Sequence, residues 1–302
     1  MTSEPNPPGT AVVDAWNQHR QRVLDVAYRM LGTLSDAEDV LQETFARLSR
    51  LGTDGIDDVL GWLITTSGRV CLDRLRSDTS RRRYIGPWLP EPLVELPGRE
   101  TDPADRVTLD DSVRLALMVV LESLSPAERT VYILHEVFAM TFEEVAVVVG
   151  RTAPACRQLA SRARRRIAAD HEPRMSVDRT AANAVAQRFA APCAGGDLHA
   201  LIAVLDDDVV GAFDSGGRIP GAPLTIQIGA PTVGITLAHA FAGAGASFNV
   251  IDVNGRPGVT VELHGRVMAV ISIETDGHTI AAIQAIGNPT KLEHLNRRPD
   301  IV

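Results

Sequence analysis

Between Thr141 and Ile167, two stretches of helical periodicity are separated by a single glycine. A short helix, a glycine turn and an arginine-rich second helix describe a helix-turn-helix. Thr141-Phe142-Glu143-Glu144 is a capping box, in which hydroxyl and carboxylate satisfy backbone donors at a helix start. A short helix follows from Phe142 to Val149, and Gly150 stops it. Arg151 fills the turn, Thr152 caps a second helix, and Pro154 falls in the first turn, where its missing N–H costs little. Cys156, Leu159, Ala160, Ala163 and Ile167 then share the face to be buried. The other faces carry Arg157, Gln158, Ser161, Arg162, Arg164 and Arg165. Arginine pairs bidentately with guanine, glutamine pairs with adenine, and the remaining arginines hold phosphates. An ordinary helical hairpin with a solvated basic face has the same charge. Turn, caps, periodicity and residue type together favour DNA reading.

The rest of the first 170 residues also reads as helices. Ala11 to Leu31 places Trp16, Val23, Ala27, Met30 and Leu31 on one face, and Gly32 ends it. Ser35-Asp36-Ala37-Glu38 is a second capping box. The helix it starts buries Ala37, Val40, Leu41, Thr44, Phe45, Leu48 and Leu51 and exposes Asp36, Asp39, Gln42 and Glu43. A third helix spans about Asp58 to Arg76, with Trp62 on its apolar stripe and an arginine run, Arg81 to Arg83, beyond it. Five prolines between Pro87 and Pro103 mark an extended linker. Helices resume from about Ala104, including the capping box Ser125-Pro126-Ala127-Glu128.

From about Ser176 the texture changes. A helix over Val177 to Ala194 and a short one after Asp197 precede strands at Phe248 to Val253, Val259 to Leu263, Val267 to Ile273 and Thr279 to Ile286. His264-Gly265 and Asp276-Gly277 are tight connections between them. Helices followed by antiparallel strands make an α+β unit.

Composition narrows the function. A net charge of -8 argues against a protein that coats nucleic acid over its whole surface. Yet Arg151 to Arg166 holds six arginines and no acid, so basic charge is local. No apolar run reaches membrane-spanning length, and Met1 to Gly9 lacks the features of a signal peptide, so a soluble, cytoplasmic protein is expected. Cys71, Cys156 and Cys193 lack metal-ligand spacing and read as small apolar residues, so neither metal nor cofactor is expected. Lys291 is the one lysine among 30 basic residues, a skew that a GC-rich coding sequence explains.

Three segments carry a family resemblance. SDAEDVLQETFARL, Ser35 to Leu48, resembles the polymerase-binding helix of extracytoplasmic-function sigma factors in the sigma-seventy superfamily. WLITTSGRVCLDRLRS, Trp62 to Ser77, resembles their minus-ten reader, and Leu124 to Ile167 their region four, which reads the minus-thirty-five element. YIGPWLPEPL, Tyr84 to Leu93, and the C-terminal unit are similar to the subgroup with a fused SnoaL-like domain of the nuclear-transport-factor-two-like superfamily. The resemblance implies a multidomain chain. Two all-α modules, region two (10–83) and region four with its helix-turn-helix (104–170), flank the linker (84–103). A SnoaL-like α+β domain (176–302), cone-shaped with a curved antiparallel sheet, follows.

The resemblance also implies partners and roles. Asp36, Asp39, Gln42 and Glu43 would dock on core RNA polymerase, on the β′ clamp coiled coil, with the β subunit a further partner. Arg69, Asp73, Arg74 and Arg76 would hold the melted minus-ten strand of promoter DNA. In relatives, an Asp-Gly-Gly-Gly-Lys loop and an Asn-Pro-Asp-Lys-Leu tail accompany regulation by the fused domain. Here they read Asp214-Ser215-Gly216-Gly217-Arg218 and Asn288-Pro289-Thr290-Lys291-Leu292. Trp88, Asp214, Asn288, Pro289 and Lys291 are therefore the expected regulatory contact.

Two other functions remain open at this point. A one-component regulator would read DNA and bind a small ligand in the C-terminal pocket, but it leaves the Ser35 to Leu48 helix unexplained. A cyclase or isomerase needs an acid or base facing that pocket. Asp214, Asn249, Asp252, Glu262 and His264 are candidates, and no pair has a diagnostic spacing. A sigma factor without catalytic residues, regulated by its own C-terminal domain, accounts for the whole chain.

Overall fold

The first helix, α1 (Pro8–Leu31), ends at Gly32, whose N–H donates to Tyr28 O at 2.7 Å with φ 76°. One residue later Thr33 caps α2 (Leu34–Leu51): its Oγ1 accepts from Asp36 N at 3.3 Å. The cap therefore lies two residues before the expected Ser35, because α2 begins immediately after the glycine stop. Asp58 caps α3 (Val59–Ser77) by accepting from Gly61 N at 2.9 Å. The computed structural model describes residues 8–78, 81–94, 107–109, 111–170, 177–241 and 245–296. Pro97, Pro103, the 171–175 tether, Ser176 and the last six residues lie outside the described residues.

The described chain divides into two units. The first comprises Met1–Asp78, Thr101–Thr108 and Val120–Asp170. Its α1 to α3 core closes on Val12, Val23, Leu48 and Leu63, with Trp62 packed against them. Trp16 and Phe45 also pack there, ring centroids 5.1 Å apart. Trp62 is thus half-buried against the core. Leu48 is fully buried, so truncation to alanine would cost about 2–5 kcal/mol.

The helices of the basic segment follow the sequence closely. Ser125 and Glu128 close a reciprocal capping box on α5 (Pro126–Tyr132), with proline at its start. A π-helical turn (Ile133–Val137) continues it and ends at Phe138, and Ala139 takes φ 55°. Thr141 and Glu144 cap α6 (Phe142–Val149), and Gly150 adopts the left-handed conformation at φ 69°. The long helix α7 (Ala153–Asp170) buries Cys156, Ala160 and Ala163 and leaves its arginines outside.

The second unit comprises Thr79–Glu100, Leu109–Val119 and His171–Val302. The helix α4 (Leu115–Glu122) begins within it. Helices α8 (Arg179–Gly195), α9 (Leu198–Ile202) and α10 (Ala230–Phe241) lie with a six-stranded sheet. Its strands are β1 (Leu205–Asp214), β2 (Gln227–Ile228), β3 (Ser247–Val253), β4 (Arg256–Leu263), β5 (Arg266–Thr275) and β6 (Ile280–Ile286). The order is β2-β1-β6-β5-β4-β3, antiparallel except for β1 beside β6, which is parallel. The sheet is therefore mixed where the sequence suggested antiparallel pairing. The parallel pair joins strands distant in sequence, which no local turn signal reveals. Asn254-Gly255 and His264-Gly265, all at positive φ, make the β3–β4 and β4–β5 turns.

Both faces of this sheet are buried. Val259, Val261, Ile271, Ile273 and Ile283 pack with Phe189 and Leu237 on the side of α8 and α10. Val253, Val267, Val270 and Ile286 pack on the other with Leu89, Leu115, Leu292 and Leu295. A strand covered on both faces reads as a nearly continuous apolar run, as Ile280 to Ile286 does apart from Gln284. The Pro-rich segment thus contributes to the core of the second unit. Leu93 and Asn254 exchange hydrogen bonds (Leu93 N to Asn254 Oδ1, 2.9 Å; Asn254 N to Leu93 O, 2.8 Å), and Val94 bridges to Val253.

Candidate nucleic-acid interface and linker clasp

The recognition strip on α7 follows from helix geometry. Burying Cys156, Ala160 and Ala163 leaves Arg157, Gln158, Ser161, Arg162, Arg164 and Arg165 exposed. Two of these arginines are held by acids. Arg157 donates to Glu143 Oε1 at 3.0 Å and lies over the Phe142 ring at 5.4 Å. Arg164 reaches Glu136 Oε1 through two nitrogens at 2.9 and 2.6 Å. Arg165 donates to Ser161 O at 3.4 Å. A guanidinium fixed in this way projects over the strip in a defined orientation.

Region-two candidates fall on two faces of α3. Arg69, Asp73 and Arg76 are exposed, and Arg76 pairs with Asp73 at 3.6 Å. Arg74 turns away from them. It lies 3.3 Å from Asp39 and 3.7 Å from Glu43, and it donates to Asp36 O at 3.4 Å. The structure thus joins Arg74 to the acidic face of α2. Asp39 and Gln42 are exposed on that face, while Glu43 also pairs with Arg47 at 2.6 Å and Asp36 closes on Thr33.

The second unit gathers the regulatory candidates around one carboxylate. Asp214 ends β1 and is 1% exposed. Its Oδ2 accepts from Leu89 N at 2.8 Å and from Lys291 Nζ at 2.7 Å. Its Oδ1 accepts from the Tyr84 hydroxyl and from Gly216 N at 3.1 Å. Lys291 also donates to Leu89 O, and its ammonium sits 4.0 Å over Trp88 and 4.9 Å over Tyr84. Arg81 covers Trp88, its guanidinium carbon 4.0 Å from the ring centroid. Asn288 Nδ2 donates to the Tyr84 oxygen at 2.6 Å. Burial and the Asp214 hydrogen bond push the Tyr84 phenol above its ordinary range. Trp88, Asp214, Asn288 and Lys291 therefore share one cluster. Pro289 is exposed and only opens the turn Pro289–Leu292 that carries Lys291.

Sequence reasoning missed Asn254 and Tyr84 as anchors. Besides Leu93, Asn254 Nδ2 donates to Val113 O at 2.8 Å. The Asn-Gly pair between two apolar runs is the signal that could have found it. The catalytic candidates are dispersed. Asp252 pairs with Arg179, Asn249 and His264 are exposed, and Glu262 is half-buried on β4. Asp214 is engaged by Lys291. No group of three or more metal-ligating side chains occurs among the described residues, and no described helix is long and apolar enough to cross a membrane.

Comparison with known proteins matches residues 15–81 to sigma-70 region 2 and 114–167 to sigma-70 region 4. The probable ECF RNA polymerase sigma factor SigI of Mycobacterium tuberculosis is 37% identical, covering 93% of this chain and 94% of its own. The ECF RNA polymerase sigma factor SigJ of the same organism is 42% identical over 69% of this chain and 66% of its own. The crystal structure of M. tuberculosis SigJ superposes with a TM-score of 0.74 at 34% identity, covering 93% of this chain and 98% of that one.

Proposed function

The chain belongs to the extracytoplasmic-function RNA polymerase sigma factors, and on that premise we propose that its C-terminal unit is a built-in, non-catalytic regulator acting through the 84–94 segment. As a family member it binds core RNA polymerase and directs promoter-specific initiation. Regulation follows from who holds the linker. The observation that carries it is the Asp214–Lys291 pair, buried and closed around Tyr84, Trp88 and Leu89. A segment clasped this way is withheld from any other surface until the clasp opens. The short tether expected between α7 and α8 keeps the local concentration of the clasp high.

In this reading Asp36, Asp39, Gln42 and Glu43 face polymerase. Arg69, Asp73 and Arg76 hold the melted strand, with Arg74 bracing α2. Arg157, Gln158, Ser161 and Arg162 read bases, while Arg164 and Arg165 lie nearer the backbone. The protein works in the cytoplasm, where polymerase and chromosome are. The apolar filling between sheet and helices speaks for a regulator and against an acid-base enzyme.

Run-off transcription with purified core polymerase tests the regulatory role. Lys291→Met and Trp88→Leu should change the rate from a cognate promoter several-fold while polymerase binding stays the same. Wild-type rates from both folded variants would sink the regulatory reading.

A further inference from the structure

The sheet of the second unit has two edges, and they are finished differently. The β3 edge is bridged in part by Val94, which meets Val253, and it carries Ser247, Asn249 and Asp252. Along the β2 edge run Leu224, Thr225, Ile226, Gln227 and Ile228, with no charge among them. Leu224, Ile226 and Ile228 are 57%, 57% and 65% exposed. Soluble proteins usually blunt an edge with charge, proline or a cover, because its free backbone groups recruit another strand. Here prolines stand at the two ends, Pro223 and Pro231, where they confine pairing to the residues between them.

The backbone of this edge is set for pairing. Gly229 N donates to Val209 O at 2.9 Å. The neighbouring pair, Ile228 opposite Val210, is therefore the non-hydrogen-bonded kind, and the N–H and C=O of Ile228 point away from β1. The same alternation turns those of Ile226 outward. Val210, 39% exposed, extends the apolar surface beside Ile228. At the other end the surface continues to Ile85, 55% exposed: a Cβ on its neighbour Gly86 would lie 3.7 Å from Leu224 Cα.

We infer that this edge binds a second copy of the chain, β2 pairing antiparallel with β2 of the other copy about a two-fold axis at Gln227. Ile228 then exchanges backbone hydrogen bonds with Ile226 of the second copy, and the two six-stranded sheets become one. Charge fits this occupant. Asp207 and Asp208 are exposed on β1 beyond Ile228, next to Gly229, whose Cβ would lie 3.6 Å from Asp207 O. Arg83 and Arg218 are exposed at the opposite end, each within two residues of the contact between Ile85 and Gly217. A two-fold axis across an antiparallel pair lays the acidic end of each copy against the arginine end of the other. Such a contact is self-complementary and uses up both β2 edges, so assembly stops at two. A patch of a few side chains is small for a permanent interface, and the dimer should come apart on dilution. The inference uses neither the linker clasp nor the DNA-reading residues.

Sedimentation equilibrium of the full chain tests it. The average mass should rise from one chain toward two between about 1 and 200 μM. A single-chain mass throughout overturns the inference. Ile228→Asp buries a charge at the centre of the contact and should weaken association by at least about ten-fold. An Ile228→Asp chain that associates like the wild type also overturns it. Charge reversal reads the two-fold itself. Asp207→Arg with Asp208→Arg, and separately Arg83→Asp with Arg218→Asp, should each weaken self-association, whereas the two reversed chains mixed should associate as the wild type does. A mixture that does not recover overturns the antiparallel arrangement. Under mild oxidation Gln227→Cys should form a disulfide-linked dimer many times faster than Ser49→Cys, an exposed control, the three native cysteines being buried. Equal rates overturn the axis at Gln227. A chain that stays single but loses capture of core polymerase in Ile228→Asp would give the edge to polymerase and overturn the second copy as its occupant.

Discussion

Lys291 Nζ lies 2.7 Å from Asp214 Oδ2, with side chains 8% and 0% exposed, 77 residues apart in the chain. A carboxylate so buried depends on its cation. Lys291→Met should destabilise the second unit by about 3–5 kcal/mol, because Asp214 is left charged and unpaired. Lys291→Met combined with Asp214→Leu should recover part of that loss. Urea unfolding curves of the three proteins measure both effects, and equal midpoints for the single and double variants would contradict the pairing.

Tyr84 titrates late. Its hydroxyl is held above its usual value of 10.0 first by burial and then by Asp214. The neutral phenol is the form the fold favours, so the stabilisation is whole below pH 10 and is lost as pH rises above it. Ultraviolet titration should therefore resolve a Tyr84 phase above the ordinary range, beside that of Tyr132, which burial and Glu136 also raise. Asp214→Asn should bring it down, and Tyr84→Phe should abolish that phase. A Tyr84 that titrates as a free phenol would show that the clasp is open in solution.

Asn254 is expected to divide its two tasks between two variants. Glycine accepts its φ of 51° but loses the bonds to Leu93 and Val113. Alanine loses those bonds and also resists the left-handed turn. Hydrogen exchange at Leu93 should rise in Asn254→Gly with the β3–β4 hairpin intact, whereas Asn254→Ala should loosen both. Identical exchange maps would remove Asn254 as the linker anchor.

On α7, Arg157→Ala should relax preference at one base pair by about 1–3 kcal/mol. Arg165→Ala should weaken all sequences alike and reduce the salt slope by about one phosphate. Glu143 competes with DNA for Arg157, and an exposed pair is worth at most about 1 kcal/mol. Glu143→Gln should therefore tighten promoter binding by roughly two- to five-fold. Titrations across a salt series distinguish the three, and a common profile for Arg157→Ala and Arg165→Ala would refute the division.

Reversing charge at Asp39 and Glu43 should weaken capture of core polymerase while leaving the melting midpoint nearly unchanged, since exposed substitutions usually shift stability by no more than about 0.5 kcal/mol. Arg74 loses both carboxylate partners in that variant and keeps Asp36 O. Arg74→Gln alone should thus leave capture largely intact. Undiminished capture by the folded double reversal would remove α2 as the docking helix.

What was legible in the sequence is what local hydrogen bonding decides. Thr141 with Glu144, Ser125 with Glu128, and Gly150 each complete their structure within four residues, and each stands where the pattern put it. Thr33 displaced Ser35 because two caps compete within one turn and only the helix start selects between them. The pairings of long separation were not legible. Tyr84 meets Asp214 across 130 residues and Asp25 meets Thr108 across 83. Nothing in the periodicity around Tyr84 or Asp25 says which distant strand or loop will supply the partner. The resemblance supplied most of the clasp, and the geometry added Tyr84, Arg81 and Asn254.

Lys291 is the one lysine in the sequence, and its amine is enclosed by Asp214, Leu89 O and two aromatic rings. Acylating reagents need an accessible amine, and this enclosure denies them access. Side-chain acylation at this position therefore becomes a clock for clasp opening, readable as a single mass increment on the peptide that carries residue 291. Arginine at every other basic position leaves that signal free of background from other side-chain amines, so the rate at which the linker comes free can be followed on the native chain without introducing a label.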